Sequence, residues 1–234
     1  MKSSNEILKA RGFCETGMEF FCAGLGFHEK IMLLKSKVPF ERTLGARLLI
    51  KEGKQSVPFL ITALLTEKKL YPKIEICNTL SRLGKPAVKP LIDLLGKIGT
   101  NQHKDLPEKQ FRKKSYPLPR DIAARTLAHM GDTALPELTE ALSTHDTALL
   151  SEAIDATGYI CFYNDHPQVL DKLRECYNTH NTNDLIRWKI VRAMSAFTES
   201  YNTLTQLLQA EKNSSIAQEI SRSLSLLRDK KNNR

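Results

Sequence analysis

The side chains best suited to chemistry are few and scattered. Six histidines (His28, His103, His129, His145, His166, His180) fall in no HExxH pattern, in no Cys-His zinc spacing and beside no nucleophile-elbow sequence. Five cysteines (Cys14, Cys22, Cys77, Cys161, Cys176) form no CxxC pair, and an odd number at irregular spacing is a poor disulfide framework. The reading is reduced thiols in the cytoplasm, no metal, no cofactor and no catalytic set. One stretch stands apart. Lys109-Gln-Phe111-Arg112-Lys113-Lys114-Ser-Tyr116, with Arg120 close behind, joins bases to aromatics. Such a mixture neutralises phosphates and stacks on bases, or presents charge and contact area to an acidic protein surface. These seven, Lys109, Phe111, Arg112, Lys113, Lys114, Tyr116 and Arg120, are the candidate binding residues. The competing and preferred reading is a solvated loop that Phe111 and Tyr116 anchor to the body.

Charge supports a local feature more than a global one. Lys and Arg outnumber Asp and Glu by 35 to 26, a net charge of +9. Residues 100–120 contribute +4 (Lys104, Lys109, Arg112, Lys113, Lys114 and Arg120 against Asp105 and Glu108), and 228–234 contribute +3 (Arg228, Lys230, Lys231 and Arg234 against Asp229). The rest is nearly neutral, so no uniformly basic groove is expected. Hydrophobic content of 41% and charged content of 26% suit an ordered chain. No run of eighteen uncharged apolar residues is present, so no membrane span is expected, and the N-terminus does not read as a signal peptide.

The elements that must position these residues follow from an internal repeat. Gly53, Gly84 and Gly131 are each followed by an apolar residue at plus four (Val57, Val88, Leu135) and a leucine at plus seven (Leu60, Leu91, Leu138). Each is preceded by a leucine at minus four (Leu49, Leu80, Leu127) and a small residue at minus seven (Ala46, Cys77, Ala124). This is a helix ending at glycine, a short turn and a second helix with proline near its start. The period is 31 residues from Gly53 to Gly84. The 47 from Gly84 to Gly131 fall to 30 once 100–116 is treated as an insertion. Gly158 fits a further first helix whose partner begins near Pro167. Residues 184–194 and 201–210 form a degenerate pair, and a terminal helix starts at Ser214. Arg42, Lys73 and Arg120, at minus eleven, form a basic column whose stems are expected to pack between repeats.

The glycine-turn units, with Arg-x-x-x-Ala-x-x-Leu before two of them (Arg42, Ala46, Leu49; Arg120, Ala124, Leu127), resemble HEAT repeats, especially the short variety associated with phycobilin lyases. The resemblance covers about residues 38–213. It implies an all-α superhelix of about five hairpins: a helical cap over 1–37, repeats over 38–213 and a terminal helix and basic tail over 214–234, read as one domain. His28-Glu29 is similar to the His-Glu pairs of HEAT-type deoxyhypusine hydroxylase, but Arg47, Asn78 and Arg125 stand in the other first helices, and the similarity ends there. Alkylpurine DNA glycosylases are also HEAT-like, yet Trp188 is the only tryptophan and no tryptophan-aspartate neighbourhood accompanies it. The expected function is a non-enzymatic scaffold for a protein partner. The alternative is a nucleic-acid binder, at its extreme such a glycosylase, and its mark would be bases from several repeats converging with the insertion on one face.

Overall fold

The computed structural model describes residues 5–22, 24–109 and 111–232, and every regular element among them is helical. The chain groups into two compact units, one ending at Leu91 and one running from Ile92.

In the first unit, α1 (Asn5–Ala10), a 3-10 turn (Met18–Cys22) and α2 (Phe27–Leu34) precede two hairpins, α3 (Pro39–Leu48) with α4 (Val57–Thr66) and α5 (Leu70–Leu83) with α6 (Lys85–Ile92). Proline opens α3 and stands at the second position of α4, where a missing amide hydrogen costs nothing. Gly53 and Gly84 turn the hairpins with φ of 64° and 71°, and Gly131 does the same in the second unit at 56°, a region that side chains with a Cβ avoid. The repeat columns are buried: Ala46, Leu49, Leu60, Leu80, Val88 and Leu91 are all fully enclosed. Each such leucine contributes about 1.5–3 kcal/mol of transfer free energy. Polar groups on the same faces are few and short. Thr43 Oγ1 donates to Gly12 O at 2.6 Å, and Thr79 Oγ1 to Ala46 O at 3.1 Å, which ties α5 to α3.

The second unit opens without regular helix from 93 to 121. It continues with α7 (Ile122–Met130) and α8 (Leu135–Ala141), α9 (Thr147–Tyr163) and α10 (Val169–Thr179), α11 (Asp184–Met194) and α12 (Tyr201–Ala210), and ends in α13 (Ser214–Asn232). Side-chain caps fix where three of these start. Asp121 accepts from Ala124 N at 2.9 Å, Asp146 from Ala148 N and Leu149 N, and Asn183 from Ile186 N at 3.1 Å. α7, α9, α11 and α13 pack side by side in chain order, with α8 on α9, α10 on α11 and α12 on α13. Two sequence expectations shift here. Gly158 ends nothing, because α9 runs through it to Tyr163, and the terminal helix continues through the basic stretch to Asn232.

Candidate functional site

α9 carries Glu152 and Asp155, α11 carries Lys189 and Arg192, and α13 carries Glu219 and Arg222. A spacing of three puts both members of each pair on one helix face. Since α11 packs between α9 and α13, the six meet inside the unit. Lys189 is fully enclosed, and its Nζ reaches Glu152 Oε1 at 2.9 Å, Asp155 Oδ2 at 2.8 Å and Ser151 O at 3.1 Å. Glu219 Oε1 takes Arg222 Nη1 at 2.7 Å and lies 3.5 Å from Arg192 Nε. Three bases thus neutralise three acids. Taking such ions out of water costs several kcal/mol each, so their mutual pairing is what makes the arrangement tenable. Burial pushes the Glu152 carboxyl above its ordinary range, against the pull of Lys189 and with the help of Asp155.

The 100–120 segment lies over this face. Arg222 donates from Nε and Nη2 to Lys113 O at 3.3 and 3.0 Å, and from Nη2 to Ser115 O at 2.8 Å, so it grips main chain rather than side chain. Its guanidinium also stands over the Phe111 ring at 4.9 Å. Tyr116 is buried against Phe162 (centroids 5.6 Å apart) and Tyr159 (6.3 Å). Its hydroxyl abuts Gly158, where any Cβ would overlap it, so the glycine inside α9 makes room for the anchor. That hydroxyl has no hydrogen-bond partner among the described residues, and burial holds its pKa well above the usual value.

Farther along, the Arg192 guanidinium covers the Trp188 ring at 3.7 Å, and His103 meets the same ring edge-on at 5.4 Å. Arg120 lies 3.3 and 3.4 Å from the two His103 nitrogens and donates to Asn101 Oδ1 at 3.0 Å. Burial first, then the Lys189 charge, lowers the His103 pKa to about 4, so the imidazole is neutral at neutral pH. Between segment and helices is a pocket of about 540 Å³. His103, Phe111, Tyr116 and Trp188 wall it, the buried Asp155 and Arg192 form its floor, and the exposed Lys109, Lys113 and Arg120 form its rim.

The candidate residues therefore divide. Lys109, Arg112, Lys113 and Lys114 are exposed, with Lys114 2.9 Å from Asp229. Phe111 is half-buried, and Tyr116 lies inside, so it anchors the segment and offers no exposed contact area. In the basic column, Arg42 is tied to Glu67 (2.6 and 2.9 Å) and to the carbonyls of Ser36 and Lys37. The buried charges were not among the candidates. The signal for them was present: paired charges three apart inside otherwise apolar first helices, with opposite signs on α9 and α11. The thiols of Cys161 and Cys176 are pushed up by burial to about 12 and about 11, and no disulfide joins any of the five cysteines. Among the described residues no group of His, Cys, Asp and Glu is arranged to hold a metal ion, and no helix is long and apolar enough to cross a membrane.

Successive helical hairpins with buried leucine columns and glycine turns are the geometry of an α-solenoid. The family model for HEAT repeats matches residues 107–195, from the 100–120 segment to the end of α11. Residues 107–195 carry HEAT repeats. No curated protein matches the sequence. Among solved structures, an engineered protein from a structural-genomics programme aligns at 16% identity over 87% of this chain and 96% of its own, with a TM-score of 0.38. A designed armadillo repeat protein aligns at 15% identity over 86% and 100%, with a TM-score of 0.36. The HEAT assignment rests on the family match and on the hairpins themselves.

Proposed function

We propose that the chain is a non-enzymatic HEAT-repeat scaffold, cytoplasmic, that docks an acidic stretch of a protein partner on the exposed bases of residues 104–114. One observation carries this reading. Bases from α11 and α13 do converge beneath the segment, but Glu152, Asp155 and Glu219 neutralise them internally, so among the described residues the positive charge left without an ion pair at the site is that of Lys109, Arg112, Lys113 and Arg120 on the segment. A short charged rim on a held segment suits a local protein contact, whereas a nucleic-acid backbone is tracked by positive charge spread along a face. Arg222 and Tyr116 lower the entropy lost on binding by holding the segment in place beforehand.

Fluorescence anisotropy tests the reading with an acidic peptide and with single- and double-stranded DNA and RNA of matched charge, at low and near-physiological salt. The expected outcome is peptide binding that survives physiological salt and weakens about tenfold when Lys109, Arg112 and Lys113 are changed to Ala together, with nucleic-acid binding confined to low salt. Nucleic acid binding more tightly than the peptide at physiological salt would replace this reading with the nucleic-acid one.

A further inference from the structure

The pocket between the segment and helices α9 and α11 lies beside the bases assigned above to an acidic partner, and it is built differently from the rim. Its walls are aromatic, its volume of about 540 Å³ exceeds what one aromatic side chain fills, and it falls within the range that ligand pockets occupy. Its floor is unfinished. Asp155 Oδ1 and Arg192 Nε are buried without a hydrogen-bond partner among the described residues, as are Glu152 Oε2, Thr157 Oγ1 and the Tyr116 hydroxyl in the same unit, but Asp155 and Arg192 are the charged members of that set that line the pocket. A buried carboxylate oxygen with no donor calls for an explanation, since such groups are nearly always satisfied.

We infer that this pocket receives a tyrosine side chain of the acidic partner, its ring between Phe111 and the Trp188–His103 pair and its hydroxyl directed to Asp155, while flanking carboxylates meet Lys109, Lys113 and Arg120. The inference rests on the acidic-partner reading and sharpens it. An aromatic anchor in a walled pocket within a charged rim is the usual division of labour at a protein interface: the anchor supplies affinity, and the charges supply encounter and orientation. Tyrosine fits better than phenylalanine because a phenol brings the missing donor, whereas a bare ring would leave Asp155 Oδ1 buried and unpaired.

The test uses the full chain and three ten-residue peptides of Asp and Glu that differ at one central position: Tyr, Phe or Ala. Affinity is measured by isothermal titration calorimetry. Trp188 emission is followed in parallel, and as the chain's one tryptophan it reports this pocket alone. The tyrosine peptide should bind about tenfold more tightly than the alanine peptide, with phenylalanine between, and should shift Trp188 emission. In a Phe111→Ala variant that keeps its helical circular dichroism, the preference for tyrosine should fall below about threefold while the alanine peptide binds as before. Equal binding of all three peptides with unmoved Trp188 emission would overturn the pocket assignment and leave the acidic-partner reading standing. Equal binding of tyrosine and phenylalanine would overturn the role given to Asp155. Failure of all three to bind would remove the reading on which the inference rests.

Discussion

The first helices of the two units do the same job with different chemistry. In the unit ending at Leu91, α3 and α5 meet through apolar residues, the Thr79 hydroxyl that donates to Ala46 O and the Arg47–Glu75 pair, and its buried charges Lys30 and Glu67 sit in separate pairs, with Glu52 and with Arg42, rather than in one cluster. Arg47, largely covered, binds both Glu19 and Glu75. In the unit from Ile92, α9, α11 and α13 carry six charges into the packed face, and an extended segment covers them. A shared helical geometry thus tolerates either solution, provided that each buried charge finds its opposite on the next helix. The charged face replaces apolar burial with ion pairs whose desolvation costs several kcal/mol per ion, and Asp155 and Arg192 of that face line the pocket.

The sharpest way to break the comparison is to remove one charge from each unit. Lys189→Met leaves Glu152 and Asp155 facing each other without a cation and should cost about 3–5 kcal/mol in urea unfolding. Arg42→Met leaves the buried Glu67 carboxylate without its cation but still accepting from Lys69 N at 2.8 Å, and should cost less, about 1–3 kcal/mol; equal losses would erase the distinction between the faces. Next comes the anchor. Gly158→Ala should destabilise by about 1–3 kcal/mol through overlap with Tyr116, although Ala in a helix interior ordinarily stabilises by about 1 kcal/mol. Part of that loss should disappear in a Tyr116→Ala background, as a double-mutant cycle on melting temperature would show, and the remainder reflects Ala193 Cβ, 2.9 Å from the added methyl.

Arg222→Lys keeps the charge opposite Glu219 but loses the fork to Lys113 O and Ser115 O. Trypsin should then cut after Lys113 or Lys114 roughly tenfold faster, with little change in global stability. The pH dependence is a smaller effect. His103 has a folded pKa of about 4 against an ordinary 6.5, so between those values the unfolded chain binds a proton that the folded chain refuses. Its contribution is complete above about pH 6.5 and is lost progressively as pH falls toward 4. The raised Glu152 carboxyl acts with the opposite sign, favouring the fold at low pH. It is common to wild type and a His103→Phe variant, so the difference between their urea midpoints across pH isolates the histidine, and that difference should be steepest between pH 4 and 6.5. Smallest of all is Tyr116→Phe. Removing a hydroxyl with no partner should change stability by less than about 0.5 kcal/mol, or raise it slightly.

Much of the fold was legible in the sequence because glycine and leucine spacing acts locally. Gly53, Gly84 and Gly131 need no neighbour to declare a turn, and the leucines four before and seven after each have few places to go except a shared core. The degenerate pair 184–194 and 201–210 was equally legible, since Asn183 and the apolar period after it mark a helix start without tertiary help. Gly158 misled because a glycine reports conformational freedom or lack of space, and only the position of Tyr116 distinguishes the two. The candidate residues were half legible. Their charges announce exposure, but whether an aromatic among them faces solvent or core depends on what lies beneath.

The sequence by itself determined the helices, their turns and the basic, aromatic character of the segment, because periodicity, caps and composition act over distances of one or two turns. The tertiary structure alone decided that Glu152, Asp155, Lys189, Arg192, Glu219 and Arg222 face one another, and that a segment more than a hundred residues before Arg222 lies across them. The physical reason is that a charge becomes part of a site only when another element removes its water and supplies its opposite, and no local pattern states which element that will be.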